Sequence, residues 1–269
     1  MQNNQENSKI AKQIIKKDCL SSYDEAQYYY CKGRKDTTNI VVLVHGISRN
    51  AKEIITNFSD YMAQDTLLIA PVFSKEYATD YQRLGRKNKG PRADYILQAV
   101  INELSSRYAI KISKINLFGF SAGAQFVHRY AFAHPAHVGK VAIVAAGWYT
   151  MPVLNERYPY GLKLTDEFTD INFERVRFLR VKYRVYVGQK DYLRDKSLNK
   201  SRKVDKLQGQ NRLERAESWT NRMNYYLEKA KLKNRVKLEV LEHVTHDFSL
   251  ADALGSLCGK VSRWFQQAD

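Results

Sequence analysis

Ile115-Asn-Leu-Phe-Gly-Phe-Ser-Ala-Gly-Ala-Gln-Phe-Val-His-Arg-Tyr-Ala-Phe132 decides how this chain is read. Ile115–Phe120 is a short apolar run of strand length, and Ala122–Phe132 has the spacing of a buried helix. Between them Gly119-Phe-Ser-Ala-Gly123 matches G-x-S-x-G. A serine on so sharp a strand-to-helix turn is held in a strained backbone conformation, and flanking glycines relieve the side-chain clashes. Its hydroxyl then projects above the C-terminal edge of a sheet, beside a helix N-terminus. Ser121 is therefore the candidate nucleophile.

Reading outward, apolar strands alternate with helical stripes along most of the chain. Ile40-Val-Val-Leu-Val44 is continuously apolar and β-branched, as a strand covered on both faces must be. Strands are expected at Gln27–Cys31, Asn39–Val44, Leu67–Pro71, Ile115–Phe120, Val141–Ala146, Tyr183–Val187 and Val236–Leu241. Helices are expected at Lys52–Gln64, Ala93–Tyr108, Ala122–Phe132, Asn211–Ala230 and Ala251–Phe265. Such alternation predicts an α/β protein with a mostly parallel, doubly wound sheet. Residues 149–180 lack a clean period and lie between two predicted core strands, so they are expected to be an insertion close to the site. Residues 1–25 are polar and predict an arm, or a short amphipathic helix over Ser8–Lys17. Residues 26–269 then form one domain.

A serine hydroxyl needs a base to remove its proton. Around such a strand-to-helix turn, the nucleophile elbow, the usual chain order is serine, acid, histidine. His243 and His246 both follow the strand Val236–Leu241; His246 lies further beyond its end and is preferred. The acid is expected after an intermediate strand: Asp191 closes Tyr183-Arg-Val-Tyr-Val-Gly-Gln-Lys-Asp191, with Asp195 as its rival four residues on. An oxyanion hole needs two amide N–H groups. Ala122, next to the serine, supplies one. Ile47 in His45-Gly-Ile-Ser48 supplies the other, with Ser48 as alternative, and His45 is left to hold that loop. Trp148 and Tyr149, following a core strand, are candidates to line the substrate pocket, with core packing as the alternative. His128, His134 and His137 read as structural or exposed.

The chain has 269 residues, 44 Lys and Arg against 28 Asp and Glu, and a formal charge of +16. Between Tyr160 and Val240 the count is 21 Lys and Arg to 11 Asp and Glu. This surplus leaves room for contact with anionic molecules. No RNA-binding signature or zinc finger accompanies it, so no specific nucleic acid is expected. Cys19, Cys31 and Cys258 show no metal-ligand spacing, and neither metal nor cofactor is expected. No apolar run is long enough to span a bilayer. No secretory signal pattern is visible, and the expectation is a soluble, cytoplasmic protein.

His45-Gly-Ile-Ser-Arg-Asn, Gly119-Phe-Ser-Ala-Gly-Ala-Gln-Phe-Val-His-Arg-Tyr130, Gly147-Trp-Tyr-Thr-Met-Pro and Gln208-Gly-Gln-Asn-Arg-Leu-Glu-Arg215 together resemble a bacterial α/β-hydrolase group. The group is related to polyhydroxybutyrate depolymerases and feruloyl esterase-like serine hydrolases. The resemblance runs from about Ile40 to the last helix. It implies the α/β-hydrolase fold, and cleavage of a small or oligomeric carboxylic ester, with Ser121, Asp191 and His246 in the triad positions. The same triad would also serve a thioesterase, a peptidase or an acyltransferase. From a different class, a basic binding module on a hydrolase scaffold is the alternative. Substrate and oligomeric state are not fixed by the sequence.

Overall fold

A computed structural model describes residues 15–22, 27–33, 37, 39–168 and 170–268. Its centre is Asn39–Val44 (β3), where Ile40, Val42 and Val44 face one hydrophobic cluster and Val41 and Leu43 the opposite one. Successive side chains of a strand point to opposite faces, so a run apolar at every position demands cover on both. The other strands are Lys16–Cys19 (β1), Tyr28–Lys32 (β2), Thr66–Val72 (β4), Ile115–Phe120 (β5), Val138–Val144 (β6), Lys182–Gly188 (β7) and Lys237–Leu241 (β8). They form one sheet in the order β1-β2-β4-β3-β5-β6-β7-β8. All neighbours from β4 to β8 pair in parallel, whereas β2 runs against both β1 and β4.

The helices are Ala51–Ser59 (α1), Ala93–Tyr108 (α2), Ala122–Ala133 (α3), Arg175–Leu179 (α4), Arg202–Gln208 (α5), Arg212–Lys229 (α6), Phe248–Ala253 (α7) and Leu257–Gln266 (α8). Apolar side chains of α2, α3 and α6 join one cluster, among them Leu97, Phe126 and Trp219. Those of α1, α7 and α8, including Phe58, Phe248 and Val261, join the other. The sheet is thus doubly wound. None of the described residues of the insertion over 149–180 lines the cavity described below, which takes Gly147 and Trp148 just before it. Met151, Leu162, Phe168 and Phe173 carry the insertion into the α3 side of the core.

Several elements differ from the sequence reading, the short helix α4 inside the 149–180 insertion among them. Lys16 and Lys17 open strand β1 instead of ending a helix; the rest of the proposed helix, up to residue 14, falls outside the described residues. A short edge strand with exposed lysines carries no apolar alternation by which to recognise it. The predicted helix Ala251–Phe265 is two helices, α7 and α8, broken at Gly255 and at Ser256, whose φ is 51°. Helix α5 was not anticipated; the Ser201 side chain caps it, accepting from the Val204 N–H. Among the described residues no helix is long and apolar enough to cross a membrane.

Candidate active site

The parallel strands deliver their C-terminal ends to one edge of the sheet, where β5 turns into α3 at Ser121. The turn holds Ser121 at φ 56°, ψ −111°. A non-glycine residue there costs of order 1–3 kcal/mol, and surrounding structure must enforce it. The Ser121 N–H donates to Val144 O on the neighbouring β6 (2.8 Å). The flanking glycines are required by contact: a Cβ on Gly119 would stand 2.3 Å from Gly123 O, and one on Gly123 would stand 2.2 Å from Val44 O.

Above this turn the structure brings Ser121, His246 and Asp191 into one hydrogen-bonded line. Ser121 Oγ lies 2.9 Å from His246 Nε2, and His246 Nδ1 lies 2.8 Å from Asp191 Oδ2. A carboxylate can only accept, so Nδ1 carries the proton and Nε2 offers its lone pair to the serine O–H. The Phe120 ring stacks on the imidazole at 5.2 Å, fixing its plane. Asp191 is 1% exposed. The loop after β7 is laced to the loop after β8, where the Lys190 N–H donates to Val244 O and the Gln189 N–H to Leu241 O. That lacing brings Asp191 beneath His246.

Asp195, the rival acid, faces elsewhere. It accepts from the Ser197 N–H (2.7 Å) and from Arg212 Nη1 (2.8 Å). Burial alone would raise its pKa, but the Arg212 and Ser197 hydrogen bonds prevail and hold the carboxyl well below the usual range. His243, the rival base, is exposed and sits at φ 60° in the turn that returns the chain from β8.

Ser121 opens onto a cavity of about 600 Å³ whose wall includes Ile47, Ala122, Gln125 and Trp148. Ala122 begins α3, where the first-turn amides have no partner within the helix. The loop bearing Ile47 is fastened by His45. This ring is fully buried: Nδ1 donates to Gly46 O (2.8 Å) and Nε2 accepts the Phe73 N–H (3.0 Å). Burial drives its pKa down to about 4, so it is neutral at pH 7. Tyr81 donates to His45 O (2.9 Å) and closes the cavity wall over it.

Of the two aromatic candidates, Trp148 lines the cavity and Tyr149 does not. Tyr149 is fully buried and stacks on Trp219 at 5.2 Å. Its backbone is clasped by Gln208, which accepts the Tyr149 N–H and donates to Tyr149 O (both 2.8 Å). Tyr149 thus takes the core role, held there by Trp219 and Gln208.

Several residues were missed as members of the site. Arg212, 1% exposed, bridges Asp191 (3.1 Å) and Asp195. Arg215 donates to Gly147 O, at the foot of Trp148, and to Asp205. Gln208–Arg215 is therefore a brace that ties the loop after β6 to the loop after β7. Its only advance signal was the resemblance of that stretch. Arg83 and Arg129 both lie over the Trp148 ring, at 5.4 and 4.4 Å. Burial lowers the Arg129 pKa to about 9, and the Arg83 charge adds to the effect. Among the described residues no group of three His, Cys, Asp or Glu side chains is placed to hold a metal ion.

No protein-family model and no curated protein sequence matches the chain. By structure it is similar to poly(aspartic acid) hydrolase-1 from Sphingomonas sp. KT-1, with a TM-score of 0.76 at 20% identity, over 93% of this chain and 98% of that one. It is similar to a poly(3-hydroxybutyrate) depolymerase from Bordetella parapertussis, with a TM-score of 0.72 at 21% identity, over 96% and 92%. A ferulic acid esterase follows at 0.57 and 12% identity, over 94% and 98%. The chain has the α/β-hydrolase fold.

Proposed function

We propose that the protein is a serine hydrolase of carboxylic esters working through an acyl-enzyme. The observation that carries this reading is the line from Ser121 Oγ to His246 Nε2 and from His246 Nδ1 to Asp191 Oδ2, standing on the strained elbow at the cavity. His246 takes the hydroxyl proton as Ser121 Oγ bonds to the ester carbonyl carbon. Charge then develops on the carbonyl oxygen, and the Ala122 and Ile47 amides receive it; a donor of this kind is worth about 10²–10³ in rate. The tetrahedral adduct collapses, the C–O bond to the alcohol breaks, and His246 returns the proton to the leaving oxygen. Water deprotonated by the same imidazole then releases the acid and restores Ser121. Asp191 keeps the imidazole in its productive tautomer and stabilises the imidazolium.

The similar structures named as a depolymerase and an esterase support ester cleavage here, and their names leave an oligomeric ester open as substrate. Residues 26–269 act as one catalytic domain in this reading. The unpaired thiols of Cys19, Cys31 and Cys258 fit a reducing, cytoplasmic setting. A fluorophosphonate probe followed by peptide mass spectrometry tests the reading. Ser121 should be modified in the wild type and spared in His246→Ala. A folded protein left unlabelled at Ser121 would overturn the proposal. Matched oxygen esters, thioesters and amides then separate an esterase from a thioesterase or peptidase.

A further inference from the structure

The electrostatics of the cavity are one-sided. Arg49, Lys75, Arg83 and Arg212 line it, and no Asp or Glu does among the described residues. Arg212 is balanced by Asp191 and Asp195 behind the wall. Arg49 is spent on carbonyls, donating to Phe73 O (2.7 Å) and Ile47 O (2.9 Å). Arg83 has no such compensation. Its Nε is buried without a hydrogen-bond partner, and no carboxylate meets its guanidinium among the described residues. Next to it Arg129, fully buried, also lacks an acidic partner and leaves Nη2 unsatisfied; it is held by Gln82 O, Thr150 Oγ1 and Gln125.

Two guanidinium groups of like charge over one indole repel each other, and burial deprives Arg129 of the water that would screen it. Cation–π attraction to Trp148 offsets part of that cost. The remainder is what an anion would relieve. Arg129 is sealed behind Gln82 and Gln125, so Arg83 is the member of the pair that opens on the cavity. A guanidinium matches a carboxylate with two parallel charge-assisted hydrogen bonds. Trp148 supplies an apolar floor beside it.

We propose that the substrates are esters bearing a free, ionised carboxylate, received by Arg83 at the Trp148 wall while Ser121 attacks the ester carbonyl. The proposal rests on the ester-hydrolase reading above and names its substrate class. Lys75, exposed at the cavity, and Arg49 add attraction for the incoming anion, so the preference is sensitive to salt.

The test compares two esters of one length and one leaving group: 4-nitrophenyl hydrogen adipate, which carries the carboxylate, and methyl 4-nitrophenyl adipate, which does not. The expected result is a kcat/KM about tenfold or more in favour of the half-ester, carried mainly by KM and shrinking as salt is raised. Arg83→Gln should bring the ratio towards one, while Arg83→Lys, which keeps the charge but not the fork, should keep part of it. Equal turnover of the two esters, or preference for the neutral one, overturns the substrate class and leaves Ser121-dependent hydrolysis standing. A ratio unchanged in Arg83→Gln overturns the assignment to Arg83. Absence of Ser121-dependent turnover with both esters overturns the hydrolase reading and this proposal with it.

Discussion

His45 follows β3 and His246 follows β8, so both imidazoles stand beyond the C-terminal ends of parallel strands, on the edge where the cavity lies. Each ring has its Nδ1–H held by an acceptor, Gly46 O for His45 and Asp191 for His246. The difference is at Nε2. In His45 that lone pair is occupied by the Phe73 N–H, whereas in His246 it faces the Ser121 hydroxyl. The partners of the two nitrogens, not proximity to the site, separate a ring that holds a loop from one able to take a proton. The acceptor's charge matters as well. A carbonyl stabilises an imidazolium weakly, and burial keeps His45 neutral; a carboxylate can stabilise the cation that proton transfer creates.

The contrast breaks most visibly on removal of the base. His246→Ala should lower kcat by about 10⁵-fold or more with only a small loss of stability, since the ring is partly exposed and packs mainly on Phe120. Steady-state ester hydrolysis beside urea unfolding checks both halves; a variant within a hundredfold of wild type would remove His246 from the chemistry. Asp191→Asn comes next, with an expected fall of about 10⁴-fold in kcat, because an amide can donate to Nδ1 and favour the wrong tautomer. Arg212 would then also lose one of its two carboxylates.

His45 yields an effect on stability. The unfolded chain protonates this residue near the ordinary value of 6.5, the folded chain only near 4. Its contribution is therefore fully present above the unfolded value and is lost as pH falls from about 6.5 towards 4. Between pH 7 and pH 5 the loss is about 2 kcal/mol from this residue alone. His128, whose Nδ1 donates to Ala124 O and whose Nε2 accepts the Thr150 N–H, is buried and shifted in the same direction. Urea unfolding of wild type and His45→Gln at the two pH values checks this. The variant should be less stable at pH 7 and should lose less between pH 7 and 5, and parallel curves would refute the assignment.

Much of this arrangement was readable because it is enforced locally. Val41–Val44 must be covered on both faces wherever it lies, and the elbow needs its glycines because a Cβ on Gly119 or Gly123 would meet backbone atoms at less than 3 Å. His246 and Asp191 stand just past strand ends, and strand ends on one side of a parallel sheet converge. What was hidden depends on contacts between distant segments. Arg212 reaches Asp191 only because α6 packs against the end of β7, and nothing in their spacing announces it. The opposite fates of Trp148 and Tyr149 depend on Trp219 and Gln208, some 60–70 positions away. Strand β1 escaped because an exposed edge strand needs no apolar pattern.

The smallest expected effect is the one that sharpens the comparison most, since it tests whether a nearby carboxylate is enough. Asp195 lies four residues from Asp191 and shares the same Arg212 nitrogen, at 2.8 Å against 3.1 Å. It also accepts from Ser197, from the Leu198 N–H and from Arg212 Nη2, and it makes no bond to His246. Held well below the usual carboxylate range, it is ionised at any working pH and acts on His246 only through Arg212 and across space. Asp195→Asn should therefore reduce kcat by less than about tenfold, against about 10⁴-fold for Asp191→Asn. The change should leave the pH profile of kcat/KM in place, because the group bonded to Nδ1 is untouched. If instead the two variants fall together, the orienting charge belongs to the Asp191–Arg212–Asp195 cluster as a whole, and direct contact with Nδ1 is not what distinguishes His246 from His45.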